Sequence, residues 1–332
     1  MASLAIEPAQ IAYDPAELPR PSDDFAKNCR NLDRFGYAIH ENLISPAMLD
    51  VLRERLTEQA ELECEQGVAT YRAANSDRIS QRMLGRPDET PAWQALHALL
   101  NKGRPFIDLA MHPVVRSYGE YLFGGVPYYM AQSVGLVVRN GSHGQAMHCD
   151  QIGVPFQTPV PVYFHAMVAL SDFEEDMGAT RFVPGSHHWP NPQIRRNRET
   201  GQLETETRDD AVPVTLKAGS AIIFESRVWH HQGVSTSDRT RLSILNGYCQ
   251  HFMKAQENFA ASLHDDVYET LSEEERAMFG FKVEMQYGGH MFARSPDDRR
   301  LNTNIRYPYI PELRRYGDRR AAPFDGMRGH QS

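Results

Sequence analysis

Cysteine is scarce: 332 residues contain four, Cys29, Cys64, Cys149 and Cys249. They are widely scattered with no CxxC pair, and no signal-peptide pattern opens the chain. Both features suit free thiols in a reducing cytosol, so a cytoplasmic protein is expected. No apolar run approaches the roughly 20 residues that span a bilayer, so no membrane partner is expected. Basic excess is also missing. The formal net charge of -8 argues against nucleic acid and anionic membranes, which attract basic surfaces. GxGxxG, Walker and HExxH patterns are absent, and GVSTS (233–237) lacks the closing glycine of a nucleophile elbow.

What is there reads as one elaborated domain without internal repeat. Its parts are an N-terminal arm (1–34), a helical support (35–127), a β core (128–251) and a C-terminal extension (252–332). FGYAIHENLI (35–44) predicts a strand. Ser45 is the expected N-cap of a helix with Pro46 at its first position and an apolar stripe of Leu49, Leu52, Leu56 and Ala60, stopped by Gly67. Further helices are predicted over 91–100 and 112–122. From Tyr128 the texture turns to short strands punctuated by Gly, Pro and Ser, including a turn at Asn140-Gly141. The fold class is therefore mainly β with added helices, an antiparallel sandwich or jelly roll. The polar loop 190–210 is a candidate lid.

Within the β region stands MHCDQIG (147–153). In an extended chain residues i and i+2 share a face, so His148 and Asp150 present an imidazole and a carboxylate side by side while Cys149 points away. One more histidine from a neighbouring strand completes the two-histidine, one-carboxylate face that holds non-haem Fe(II) and leaves open positions for oxygen chemistry. The segment AIIFESRVWHHQG (221–233) offers His230, with His231 as competitor. Arg241 follows on the next strand, where a guanidinium could pair with a carboxylate reaching into the barrel; Arg239 shares its parity. A keto acid with a distal carboxylate, such as 2-oxoglutarate, would chelate the metal at one end and meet Arg241 at the other.

GSHGQAMHCDQ, GATRFVPGSHHW and WHHQG with Arg241 resemble the phytanoyl-CoA dioxygenase family of Fe(II)/2-oxoglutarate oxygenases, over about two thirds of the chain. The family pattern places a glutamine three residues before the first ligand, here Gln145. It places a glycine three after the distal histidine, here Gly233, which favours His230 over His231, and the family spacing to the arginine favours Arg241 over Arg239. The resemblance implies a double-stranded β-helix (cupin-like) core, with Fe(II) on His148, Asp150 and His230 and 2-oxoglutarate on Arg241.

Similar enzymes place a hydroxyl near the cosubstrate carboxylate where Thr180 stands. Gln145 and Gln132 are candidate polar contacts. Gln232 occupies a position where relatives carry a small hydroxyl residue that helps bind the cosubstrate. The turn with His187 and His188 is read as structural, and Trp229 as packing beside the metal strand.

The implied reaction oxidises an unactivated C–H bond of a small molecule with O2 while 2-oxoglutarate is converted to succinate and CO2, most simply a hydroxylation. Desaturation, ring closure and endoperoxide formation use the same ligands. Halogenating relatives replace the carboxylate, so Asp150 argues against halogenation. Tyr128, Tyr129, Met130, Phe156 and Tyr163 are candidate walls of an apolar substrate pocket, and Arg72, Arg78, Arg82 and Arg86 candidate contacts for an anionic substrate such as an acyl-CoA. A non-catalytic binding protein and a Zn2+ hydrolase are the readings from other classes; a homodimer is left open.

Overall fold

Strands β1 (Tyr37–His40), β2 (Thr70–Tyr71), β3 (Met83–Leu84), β4 (Trp93–Leu96), β5 (Tyr128–Val138) and β6 (Tyr163–Ala169) form in the first half of the chain. They are followed by β7 (Thr180–Phe182), β8 (Arg195–Arg196), β9 (Leu203–Glu204), β10 (Val212–Pro213), β11 (Ala221–Glu225), β12 (His230–Gln232) and β13 (Arg241–Gln250). The structure is a computed structural model that describes residues 13–71, 83–84, 90–154, 156–192, 195–196, 203–204 and 208–281. Among these residues the large sheet has the order β1-β11-β6-β13-β5-β4-β2-β3, and a smaller sheet the order β10-β7-β12, with every pairing antiparallel. The two sheets face each other: Phe182 of the small sheet meets Tyr37 and Phe224 of the large one at ring-centroid distances of 4.8 and 5.2 Å. This is the expected jelly roll.

Side-chain parity decides what the large sheet shows to each side. On β6, Phe164, Ala166 and Val168 join the core under the helices, whereas Met167 and Ala169 face the small sheet. On β13, Ile244 and Tyr248 lie under the helices. Helices α1 (Phe25–Phe35), α2 (Pro46–Glu65), α3 (Arg104–Ala110) and α4 (Pro113–Phe123) cover that outer face, joined by the short α5 (Phe259–Ser262), α6 (Asp265–Thr270) and α7 (Glu273–Met278). Helix α2 begins as its sequence dictates. The Ser45 side chain accepts from the Met48 amide, Pro46 is at the first position, and Gly67 turns the chain away at φ +65°. Its buried stripe of Leu52, Leu56 and Ala60 docks on the sheet; each leucine contributes roughly 1.5–3 kcal/mol by burial. Gly135 on β5 is where that docking is tightest, since a Cβ there would come within 2.4 Å of Leu56.

Four local expectations fail. The helix expected over 91–100 is instead strand β4 followed by a 3-10 turn, Leu99–Lys102. The long β5 offers an open edge there, and pairing Trp93–Leu96 with Gly135–Val138 satisfies more backbone than an isolated helix would. The strand expected over 35–44 ends at His40, because Asn42 turns with φ +51°. The segment read as an arm contains α1, capped by the Asp24 carboxylate on the Lys27 amide at 2.9 Å. Asp150, expected on a strand, opens a 3-10 turn (Asp150–Gly153). Most of the loop 190–210, the four arginines 72, 78, 82 and 86, and the tail beyond 281 lie outside the described residues.

Candidate metal centre

The small sheet builds the first two arms of the site. His148 and His230 exchange backbone hydrogen bonds, 3.0 Å from the His148 amide and 2.8 Å from the His230 amide. This reciprocal pair sets the two imidazoles side by side, ring centroids 4.4 Å apart. Each ring is oriented by a carbonyl near its own Nδ1: Ala146 O at 2.9 Å for His148 and Val228 O at 3.0 Å for His230. Donation from Nδ1–H leaves each Nε2 with its lone pair facing inward, the tautomer a metal requires. Cys149 is extended, so Asp150 returns to the side of His148 even though it opens a turn.

Asp150 closes the triangle. Its Oδ1 lies 3.7 Å from His148 Nε2 and its Oδ2 3.6 Å from His230 Nε2. One donor atom from each of the three residues lies within 4.8 Å of the others, a spacing that admits a single ion. Burial pushes the Asp150 carboxyl up, but the imidazoles of His165, His230 and His148 outweigh it and hold the group below the usual carboxylate range. Burial lowers His230, against the pull of Asp150. Two imidazoles with inward-facing Nε2 atoms and one ionised carboxylate on one face suit a divalent first-row metal. His231, the competitor, turns its Nδ1 to Gln232 O at 3.1 Å and stands outside the cluster.

From this triangle a cavity of about 660 Å3 runs to Arg241. Arg241 is 1% exposed, and its Nε and Nη1 have no hydrogen-bond partner; the guanidinium sits over the Phe173 ring at 5.0 Å. Burial pushes it down to about 10, with no carboxylate to oppose the shift. The group therefore stays a cation at neutral pH, in a place where an uncompensated charge costs several kcal/mol, on the order of 3–5. Arg239 takes no part, being paired at the surface with Asp176 at 3.1 Å.

The other predicted residues also line the cavity, with different engagements. Thr180 is buried, its hydroxyl touching only Met167 Sδ at 3.7 Å. Gln145 Oε1 accepts from the Gln232 amide at 3.1 Å and so clips the His148 segment to β12. Gln232 receives the Trp93 indole N–H and donates to Ser142 Oγ, both at 3.1 Å, so its amide is already committed. Gln132 points its Nε2 at His165 Nε2, 3.4 Å away. His187 anchors its turn to Asp33 O at 3.1 Å, and Trp229 packs with Met147 and Cys149 behind the metal strand.

The expected aromatic wall is a correction. Tyr128, Tyr129, Met130, Phe156 and Tyr163 do not line the cavity; Trp93, Val134, Leu136, Met167, Phe224 and Leu245 do. For Tyr128 and Met130 the cause is a bulge: Gly247 pairs with Gln132 but Tyr248 pairs with Met130, so one extra residue on β5 inverts its parity. Met130 and Tyr128 consequently face the helices, while Phe156 is 65% exposed. His165, which sequence reasoning passed over, is 1% exposed with Nδ1 3.2 Å from Asp150 Oδ2. Its signal was parity, since it shares the inward face of β6 with Met167.

The family model for phytanoyl-CoA dioxygenase (PhyH) matches residues 32–243. The chain belongs to the phytanoyl-CoA dioxygenase family. That match contains both ligand segments and Arg241. Among curated relatives, the dioxygenase aneA of Aspergillus aculeatus is 28% identical over 160 residues, 46% of this chain and 51% of that one. The multifunctional dioxygenase prhA of Penicillium brasilianum is 27% identical over 173 residues, 49% and 55% of the two chains. The chain thus spans about half the length of these relatives.

The solved structure of the epimerase SnoN with Fe3+, alpha ketoglutarate and nogalamycin RO superposes with a TM-score of 0.53 at 22% identity, covering 69% of this chain and 84% of that one. The carbocyclase SnoK from nogalamycin biosynthesis gives 0.51 at 21%, covering 74% and 90%. At such identities these likenesses establish the shared fold.

Proposed function

We propose that the protein is an Fe(II)/2-oxoglutarate-dependent dioxygenase that hydroxylates an unactivated C–H bond of a small organic molecule, in the manner of an enzyme of specialised metabolism. One observation carries the reading: a buried guanidinium without an anion shares a cavity with a two-histidine, one-carboxylate cluster. A metal alone leaves Arg241 unexplained, and an anion alone leaves the triad unexplained. A keto acid with a distal carboxylate answers both.

In this reading His148, Asp150 and His230 hold Fe(II), and Arg241 pairs with the far carboxylate of 2-oxoglutarate, the Thr180 hydroxyl adding a hydrogen bond. Bound together, the metal and the keto acid supply O2 activation coupled to release of CO2 and succinate. The chain's own work is positional. Carbonyl-anchored imidazoles keep Nε2 inward, Trp93, Val134, Leu136, Met167, Phe224 and Leu245 exclude water, and the fixed guanidinium sets the direction from which the keto acid enters. The relatives support the reading: two are named dioxygenases, and structural neighbours were crystallised with Fe3+ or nickel and the keto acid.

The cavity volume suits a compact metabolite. Among its described lining residues Arg241 is the sole lysine or arginine, and Glu257 adds a second carboxylate. A neutral, partly apolar substrate fits these walls better than an acyl-CoA, whose phosphates want cations. The test is to mix protein, Fe(II) and 2-oxoglutarate without oxygen and record the visible charge-transfer band, then admit oxygen and measure succinate across a metabolite library. Both signals are expected, with substrate-stimulated succinate and a product carrying one added oxygen. A band without succinate would leave a binding protein, neither signal a zinc hydrolase, and a product of unchanged mass an isomerising outcome.

A further inference from the structure

We propose that His165 is the positioning residue of the metal carboxylate: its Nδ1–H holds Asp150 Oδ2 and leaves Oδ1 to the metal. The inference rests on the metal reading above and adds the residue that sets how the carboxylate binds.

Four observations converge. First, His165 Nδ1 lies 3.2 Å from Asp150 Oδ2 and is a buried nitrogen that makes no aligned hydrogen bond, to Asp150 or to any other group. Hydrogen bonds of this kind are often misaligned before the site is loaded, and in this assignment the carboxylate turns to meet the N–H when the metal binds. Second, the tautomer is dictated from behind. Gln132 Nε2 faces His165 Nε2 at 3.4 Å, and an amide NH2 can only donate, so Nε2 accepts and the ring proton sits on Nδ1. Reversing the amide would put a ring lone pair against the carboxylate, a repulsive arrangement.

Third, the ring is locked. It stacks on Phe224 with centroids 5.1 Å apart and tilts by 23°. Fourth, room has been made for it on the opposing strand. A Cβ at Gly247 would lie 2.9 Å from His165 Cδ2 and Nε2 and 3.1 Å from Gln132 Cγ, so a side chain there would displace both partners. His165 is not a fourth ligand, for it stands outside the cluster whose donor atoms converge. With Oδ2 occupied, a carboxylate able to chelate through both oxygens is confined to one, which keeps metal positions open.

The experiment titrates Co(II) into metal-free protein, without keto acid, by calorimetry. Removal of a hydrogen-bond partner behind a metal ligand weakens metal binding roughly 10- to 100-fold, and this is expected for His165→Leu. His165→Asn, whose amide can donate from nearly the place of Nδ1, is expected within about three-fold of wild type. Wild-type affinity in His165→Leu, or equal losses in the Asn and Leu variants, overturns the assignment. Should His165→Leu fail to fold, Gln132→Leu at the cavity wall carries the test: a several-fold weaker Co(II) affinity supports the assignment, and an unchanged one sinks it. Wild-type protein that takes up no Co(II) overturns the metal reading as well, whereas tight wild-type binding with unaffected variants overturns His165 alone.

Discussion

The cavity carries an anion at one end and a cation at the other, Asp150 with its side chain 22% exposed and Arg241 only 1%, and the protein treats them differently. Asp150 is surrounded by three imidazoles that favour its ionised form. Arg241 has an aromatic face beneath it and no carboxylate beside it. One end is a compensated anion that converges with two inward nitrogen lone pairs on the space for a cation. The other is an uncompensated cation, a configuration a fold tolerates where a ligand completes it. The asymmetry teaches that the cavity is incomplete at both ends, in opposite senses, and that one metal-chelating dicarboxylate would complete it.

The comparison can be broken most forcefully at the metal end. Asp150→Ala and His230→Ala should each reduce succinate formation to background, while His231→Ala stays near wild type; activity in Asp150→Ala would dissolve the distinction between the ends. At the other end, Arg241→Met should weaken 2-oxoglutarate by about thirty-fold or more, the consequence of losing roughly 2–5 kcal/mol of paired charge. The same substitution should make the ligand-free protein more stable, by roughly 1–4 kcal/mol in denaturant unfolding, because a buried charge is replaced by an apolar chain. A loss of stability would mean that Arg241 has a partner in the fold. The smallest effect belongs to Thr180→Val, which should cost about 0.5–1.5 kcal/mol in 2-oxoglutarate affinity by calorimetry. Arg239→Ala, at the surface pair, should leave that affinity unchanged.

The two ends also differ in how readable they were. His148, Asp150 and His230 stand in short segments whose chemistry is local, because i and i+2 geometry and one backbone bridge bring them together. Arg241 shared its strand parity with Arg239, and only the spacing of the family that the chain resembles singled it out. The interior between them was harder to read. β6 is buried on both faces, so its composition does not reveal which residues turn inward, and His165 stayed hidden. The bulge opposite Gly247 inverted the parity of β5 and moved Tyr128 and Met130 to the helix side. Strand β4 formed because β5 had an edge to fill, a tertiary cause absent from its own four residues. The glutamines were recognised as cavity residues, but their amides are spent on Trp93, Ser142, Gln232 and His165, connections that cross far-apart segments.

The most direct test compares two keto acids on the Co(II)-loaded protein by calorimetry: 2-oxoglutarate, and 2-oxobutyrate, which has the chelating head without the distal carboxylate. The account predicts that wild type prefers 2-oxoglutarate by about thirty-fold or more and that Arg241→Met erases the preference. Equal affinities in the wild type, or a preference that survives Arg241→Met, would contradict it.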